Sequence, residues 1–233
     1  MKVALIGAVV AWAAVATSVM SQETVQFGTV VELYTSQGCS SCPPADEYLR
    51  DLAQRPGVIA LSLHVDYWDY IGWTDSFGQA RFTDRQKAYA RAEGSRTIYT
   101  PQMIVGGQSR IEGVNPEAVD RALTDQPAPA LQLRLDRQGD RLTVTADPLA
   151  QAAGPLRVQL VRYIPRTQVM IEAGENAGRL VDYTNVVTSW SLMGEWDGKT
   201  PLALTAEVTG PEAVVVILQV EGPGQILAAA ATR

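Results

Sequence analysis

The sequence has 233 residues, of which 46% are hydrophobic and 19% are charged, and its formal net charge at pH 7 is −6. An acidic chain is poorly suited to binding nucleic acid, and a chain of this length is long enough for one large domain or two modest ones. Its two cysteines are too few to form a disulfide framework for a chain of this size.

Residues 1–21 have the pattern of a secretory signal peptide. Lys2 precedes a run of apolar and small residues that ends at Ser21 and Gln22, as in the basic, apolar and small-residue regions of such signals. The apolar run is short for a bilayer-spanning helix and no basic cluster follows it, so we expect no retained membrane anchor. The sequence therefore predicts a periplasmic or secreted protein, in a compartment where disulfides persist.

Residues 22–126 are predicted to form an α/β domain. Residues 29–34 and 58–65 are rich in aliphatic and β-branched side chains, which is typical of strands. Between them a helix begins near Pro43 and stops at Pro56-Gly57. The same kind of pattern predicts a helix at 77–92, two strands at 102–105 and 109–112 around a Gly106-Gly107 turn, and a helix at 116–123. This β-α-β-α-β-β-α order is the topology of the thioredoxin fold.

A short proline-containing linker, residues 125–130, leads into a second region with few helical patterns. Repeated short strands with turn signals indicate a β-sandwich-like arrangement there. The predicted fold class is thus a thioredoxin-like α/β domain over residues 22–126, followed by a smaller β-rich, sandwich-like domain over residues 127–233.

The pair Cys39 and Cys42 carries the strongest chemical signal. Pro43 and Pro44 have no amide hydrogen to donate, so both belong in the first turn of the helix, which is then capped near Ser40 or Ser41. This places Cys39 in the loop just before the helix, where it faces the free amides of the first turn. Cys42 then lies one turn inside the helix and is more buried. One attacking and one resolving sulfur is what exchange through a mixed disulfide requires. An inert disulfide and half of a zinc site stay open as alternatives.

The carboxylates of Asp46 and Glu47 lie in the first turn of the same predicted helix. They favour the helix, because its N-terminus is the positive end of its dipole, but they oppose a thiolate at Cys39.

Thr100-Pro101 is the second element of the predicted site. Thioredoxin-like proteins place a cis-proline before the strand that faces the cysteine pair, and the segment Thr100 to Val105 resembles that of glutaredoxins. A cis bond here would let the preceding backbone pair with a bound peptide beside the disulfide. A trans proline at the start of an edge strand is the alternative.

Glu32 and His64 complete the set of candidate site residues. Glu32 lies on the strand before the cysteines and could accept a proton from the inner one, or it could be an outward-facing strand carboxylate. His64 ends the next strand, at the edge of the sheet where sites usually form, although a hydrogen-bonded structural role is the alternative.

Four segments carry a family resemblance: VELYTSQGCSSCPPAD, LSLHVDYWDYIGWTD, YTPQMIVGG and GENAGRLVDYTNVV. In them the chain resembles a bacterial secreted family, domain of unknown function 1223, within the thioredoxin-like superfamily. The resemblance runs over nearly the whole chain after the signal peptide. It implies a thioredoxin-like fold and a thiol-redox role, and it names no substrate.

The sequence thus predicts an exported thiol-disulfide oxidoreductase whose site residues are Cys39, Cys42, Thr100, Pro101, Glu32 and His64. It needs no cofactor beyond its redox-active disulfide. Its partners would be protein thiols or disulfides and a redox partner that the sequence does not identify. Two other functions remain open: a copper chaperone that binds Cu(I) through the cysteines and His64, and a binding scaffold in which residues 174–187 recognise a partner.

Overall fold

The computed structural model describes residues 25–151 and 154–232. The predicted signal peptide, residues 1–21, lies outside this part of the chain. Within it, no helix is long and apolar enough to cross a membrane.

The first half of the described chain forms the elements that the sequence predicts, in the same order. The structure starts α1 at Pro43, directly after Cys42, and both glycines of the Gly106-Gly107 turn have positive φ angles, which glycine adopts without steric cost. The side chain of Asn115 caps α3 by accepting a hydrogen bond from the amide of Ala118 (3.0 Å). The elements are β1 (Val25–Phe27), β2 (Thr29–Thr35), α1 (Pro43–Leu52), β3 (Val58–His64), a 3-10 turn (Asp69–Ile71), α2 (Ala80–Ala92), β4 (Gln102–Val105), β5 (Ser109–Glu112) and α3 (Pro116–Thr124).

The second half consists of strands. Two of them, β8 and β9, form a long antiparallel ribbon in which Leu156 pairs with Trp196 and Ile171 with Arg179. The strands are β6 (Arg134–Gln138), β7 (Arg141–Ala146), β8 (Leu156–Ile171), β9 (Arg179–Trp196), β10 (Leu202–Glu207), β11 (Ala213–Val220) and β12 (Ile226–Thr232).

The predicted fold class is wrong, because the strands of the two halves join in one sheet. Nine strands follow the order β1-β12-β11-β8-β9-β3-β2-β4-β5, and β3 pairs in parallel with β9 through Ser62 and Val186. The described protein is therefore mostly β, with three α-helices and a large mixed sheet rather than an α/β thioredoxin fold. The order of the elements in residues 29–124 is right, but β3 has a further neighbour that belongs to the second half of the chain.

A smaller sheet, in the order β10-β7-β6, packs against strands β8, β9, β11 and β12 of the large one. Their shared apolar cluster includes Leu142 and Val144 from the small sheet, and Val158 and Val216 from the large one. The domain boundary at 126/127 stays a prediction, and strands from both sides of it contribute to the large sheet.

Helices cover both faces of the large sheet near β2 and β3. Alternating side chains of β2 separate the two faces: Val31 and Leu33 pack with α1 and α3, whereas Val30 and Tyr34 share a cluster with Phe82 and other residues of α2. We call these the α1 face and the α2 face. The loop after β2 leads directly into α1, so the cysteine pair belongs to the α1 face.

Candidate functional site

The two cysteines form a disulfide at the N-terminus of α1. The amide of Cys39 donates to the carbonyl of Ser36 (3.1 Å) and that of Cys42 to the carbonyl of Cys39 (3.2 Å), so the loop is a pair of tight turns. Cys42 is the N-cap of α1 rather than a residue one turn inside it. Cys39 is only 1% exposed and Cys42 is fully buried, whereas Ser40 and Ser41 between them are exposed. The folded protein thus covers both sulfurs.

The ends of three strands meet beside this loop. Strand β2 ends at Thr35, which lies opposite His64 at the end of the parallel strand β3. On its other side β2 pairs with β4, where Tyr34 lies opposite Gln102. The Thr100–Pro101 bond, directly before β4, is cis as predicted. The sheet therefore brings the cysteine loop, His64 and Thr100-Pro101 to one edge.

A group of buried polar side chains lies on the α1 face at this edge. Asp46 is 4% exposed, and it follows Cys42 by one helical turn. Neither of its carboxylate oxygens forms a well-aligned hydrogen bond within the described chain, although the Thr35 hydroxyl is near enough to favour the charged carboxylate. The Ser62 hydroxyl and Nε2 of His64 also lack a partner there. A buried polar atom without a partner costs free energy, so a cluster of them indicates a function or a strained site.

Asp46 therefore holds its proton unusually tightly. Burial, which disfavours the charged carboxylate, raises the pKa of Asp46 from 3.8 to about 7. The His64 imidazole and the nearby Thr35 hydroxyl oppose this rise, and the negative charge of Asp75 adds to it. A carboxyl with a pKa near neutrality can take up and release protons under physiological conditions.

His64 is held in place by a second buried acid, Asp75. Its Nδ1 lies 2.7 Å from Oδ2 of Asp75, which also accepts from the amide of Gln37 (2.8 Å), while Oδ1 accepts from the amide of Phe77 (2.8 Å). Burial acts to raise the pKa of Asp75, but His64 and the two amides outweigh it and lower the pKa. An ionised carboxylate only accepts hydrogen bonds, so Nδ1 of His64 carries the proton between them. The ring of Tyr183 packs edge-on against His64, with its centroid 4.8 Å away.

The turn between β8 and β9 contributes a residue that the sequence did not single out as a site residue. The side-chain amide of Asn176 donates to the carbonyls of Gln37 and Cys39, at 2.9 Å each. Asn176 is itself buried, and its Oδ1 accepts from Arg179 (3.1 Å). It lies in the segment 174–187 that was predicted as a partner-binding region of a scaffold. Nothing in the local sequence indicates a contact with a loop 137 residues away.

The aromatic loop after β3 packs against the other side of the cysteine loop. Nε1 of Trp73 donates to Oε1 of Gln37 (2.8 Å), and Nε1 of Trp68 donates to the Thr100 hydroxyl (2.7 Å). A Cβ atom placed on Gly38 would lie 3.3 Å from Cβ of Trp68, so this glycine permits the close approach. Trp68 thus links the cysteine loop to the cis-proline segment.

Residues 30–219 match the model of a family described as "Protein of unknown function (DUF1223)". The chain belongs to the DUF1223 family. This DUF1223 protein is also similar to protein AGR_C_4864 from Agrobacterium tumefaciens, known from an X-ray crystal structure. The two are 32% identical, the match covers 91% of this chain and 96% of the other, and the TM-score is 0.75. No curated protein matches the chain.

Glu32 is the predicted site residue that the structure places elsewhere in this DUF1223 protein. Its carboxylate is fully buried and accepts two hydrogen bonds from Arg85 (2.7 and 2.8 Å) and one each from the hydroxyls of Tyr34 (2.9 Å) and Tyr89 (2.7 Å). Arg85 and Tyr89 belong to α2, so Glu32 lies on the α2 face and the cysteines on the α1 face. Its role as a site residue stays a prediction, and the hydrogen bonds described give it no contact with the disulfide.

The described part of the DUF1223 chain contains no group of three or more His, Cys, Asp or Glu side chains arranged to hold a metal ion. The copper-chaperone alternative, with Cys39, Cys42 and His64 as ligands, stays a prediction, because the two cysteines are joined in a disulfide in this structure. Copper uptake by the reduced protein remains the measurement that decides it.

Proposed function

We propose that this DUF1223 protein is an exported thiol-disulfide oxidoreductase in which Cys39 and Cys42 exchange with protein thiols or disulfides. The observation that carries the proposal is the pairing of a disulfide at a helix N-terminus with a buried carboxyl, Asp46, one turn along the same helix. From the thioredoxin-like resemblance the proposal keeps a local arrangement, a disulfide before a helix and a cis-proline before a neighbouring strand, and not the overall fold.

The exchange proceeds through two displacements. In the reduced protein the Cys39 thiolate attacks one sulfur of a client disulfide and expels the other client sulfur as a thiolate, which forms a mixed disulfide. Cys42 then attacks Sγ of Cys39 and releases the second client thiol. The client gains two electrons and the cysteine pair loses them. In the opposite direction a client dithiol reduces the Cys39–Cys42 disulfide by the same steps, and the relative reduction potentials set the direction.

Asp46 handles the proton of Cys42 in this scheme. Cys42 is a nucleophile only as a thiolate, so its proton must leave during the second displacement. Positions four apart on a helix lie on the same face, which puts the Asp46 carboxylate beside the first turn that contains Cys42. Asp46 must be ionised when it accepts this proton, and the His64 imidazole, oriented by Asp75, favours that ionised form. The carboxyl is neutral once it has taken the proton from Cys42.

The buried sulfurs require the site to open before a client reaches them. The Asn176 contact and the Trp68–Trp73 loop hold the cysteine loop from two sides. Both depend on a small number of hydrogen bonds, each worth about 0.5–1.5 kcal/mol. Local opening at this cost is accessible in the native state.

The reduction potential of the pair tests the proposal. The purified mature protein is equilibrated in graded glutathione and dithiothreitol buffers, and its free thiols are alkylated and counted. A potential above roughly −250 mV marks an active couple, because structural disulfides lie below roughly −300 mV. In parallel, Cys42→Ser is expected to accumulate a mixed disulfide with glutathione at Cys39, whereas Cys39→Ser accumulates less and Ser40→Ala behaves as the wild type. A potential below roughly −300 mV, with no mixed disulfide in Cys42→Ser, would make the disulfide structural.

A further inference from the structure

A basic cavity of about 460 Å³ lies on the α2 face of the large sheet, between α2 and strands β8, β9 and β11. Its volume is within the range of small-molecule sites in proteins, roughly 300–1,000 Å³. The cavity is lined by three arginines, a tryptophan and two glutamines, and none of its lining residues is acidic: Arg81, Arg85, Arg157, Trp190, Gln159 and Gln219.

One wall of the cavity is rigid. The Arg85 guanidinium donates hydrogen bonds to the buried Glu32 carboxylate (2.7 Å) and to the hydroxyl of Tyr89 (2.9 Å). It also lies 3.9 Å from the ring centroid of Trp190. Nε1 of Trp190 donates to Oε1 of Gln159 (2.8 Å). Groups fixed in this way lose little conformational entropy when a ligand binds.

The net charge of the lining is positive. Glu32 neutralises Arg85, but Arg81 has no acidic partner within the described residues. Among the described residues Arg157 forms one ion pair, with Glu221 (3.2 Å), and the side chains of both are about half exposed (45% and 50%). An exposed pair of this kind is worth little and is easily exchanged for another anion. Arg81 and Arg157 are thus available for an anionic group.

We propose that this cavity binds a small organic anion that has a flat apolar body. The forked guanidinium groups of Arg81 and Arg157 match the geometry of a carboxylate or a phosphate, and Phe82, Trp190 and Val220 supply apolar wall for the rest of the ligand. The site is on the opposite face of the sheet from the disulfide. The proposal therefore stands or fails independently of the redox function.

Isothermal titration calorimetry of the oxidised mature protein tests it with three probes that share a naphthyl ring: 2-naphthoate, 2-naphthyl phosphate and the neutral 2-naphthamide. We expect one molecule of anion to bind per chain, at least about tenfold more tightly than the amide. The phosphate binding more tightly than the carboxylate would identify a phosphate ester as the natural ligand class, and the reverse would identify a carboxylic acid.

Two variants that change the net charge equally provide the control. Arg81→Gln is expected to weaken anion binding at least about tenfold, whereas Arg91→Gln, at the exposed far end of the same helix, changes it less than about twofold. Arg157→Gln gives a second test should Arg81→Gln alter the circular dichroism spectrum. Three results would overturn the proposal: no binding at millimolar probe, equal binding of the amide, or equal losses in Arg81→Gln and Arg91→Gln.

Discussion

Replacing Asp46 by asparagine should change how the stability of the protein depends on pH. Asp46 is buried without a well-aligned hydrogen bond to either oxygen among the described residues, and burial raises its pKa from 3.8 to about 7. An unfolded chain loses this proton near pH 4, whereas the folded chain holds it until about pH 7. Asp46 therefore does not lower the free energy of unfolding below pH 4, where it is protonated in both states. Its destabilising contribution grows as the pH rises from 4 to 7. A difference of about 3 pKa units at 1.36 kcal/mol each amounts to about 4 kcal/mol.

Asparagine has nearly the same shape and stays neutral, so Asp46→Asn removes this loss. The free energy of unfolding would be measured by urea titration with the disulfide intact, at intervals from pH 4 to pH 8.5. Near pH 4 the variant should match the wild type within about 1 kcal/mol, because both side chains are then neutral. At pH 8 the variant should be more stable by about 3–4 kcal/mol.

The exposed neighbour Glu47 provides the matched control. Glu47→Gln removes a carboxylate from the same helical turn, and its stability curve should run parallel to that of the wild type. Asp75, whose pKa is lowered, stabilises the folded state above pH 4 and is present in all three proteins, so its hydrogen bonds to His64, Gln37 and Phe77 are common to the three curves. Parallel curves for Asp46→Asn and the wild type would refute the assignment of a proton to buried Asp46 at neutral pH.

Three further substitutions separate the roles assigned above. Asn176→Ala removes the donor to Gln37 and Cys39, so reduction of the disulfide by dithiothreitol, followed by alkylation, should become several-fold faster; an unchanged rate would mean that Asn176 does not limit access. Glu32→Gln leaves the Arg85 charge buried without its partner and should cost about 3–5 kcal/mol in urea unfolding, while the reduction potential stays the same; a shifted potential would restore Glu32 to the redox site. Asp75→Asn weakens the bond to His64 and should lower the free energy of unfolding at pH 7 by at least about 2 kcal/mol, and a smaller loss would count against a charged Asp75.

Local signals predicted the elements around the site well. The Pro43-Pro44 pair places the start of α1, the Gly106-Gly107 pair specifies the hairpin turn, and Thr100-Pro101 has the cis bond that its context suggested. Each of these depends on backbone restrictions within a few residues. Such restrictions act whatever the rest of the chain does.

Long-range contacts account for what the sequence did not predict. The pairing of Ser62 with Val186 extends the sheet beyond β3, and no local pattern reports which strand an edge will meet. Which face of the sheet Glu32 points to depends on the alternation of side chains along β2, and a shift of one residue would move it to the other face. Asp46 could have been found, since it lies four residues after Cys42, but it was interpreted only as a first-turn carboxylate that favours the helix and opposes a thiolate at Cys39.

The disulfide links two residues that are close in sequence, whereas Asn176, which covers it, is far from it along the chain. Cys39 and Cys42 are separated by three residues, whereas Asn176 reaches Cys39 across 137. Closing a short loop costs less entropy than closing a long one, and contacts between distant residues form late in folding. A chain that folds from its reduced form is therefore expected to present its two thiols to an oxidant before it encloses them. In that order of events the two sulfurs would be open to solvent during folding, and afterwards they would be reached only when the native structure opens.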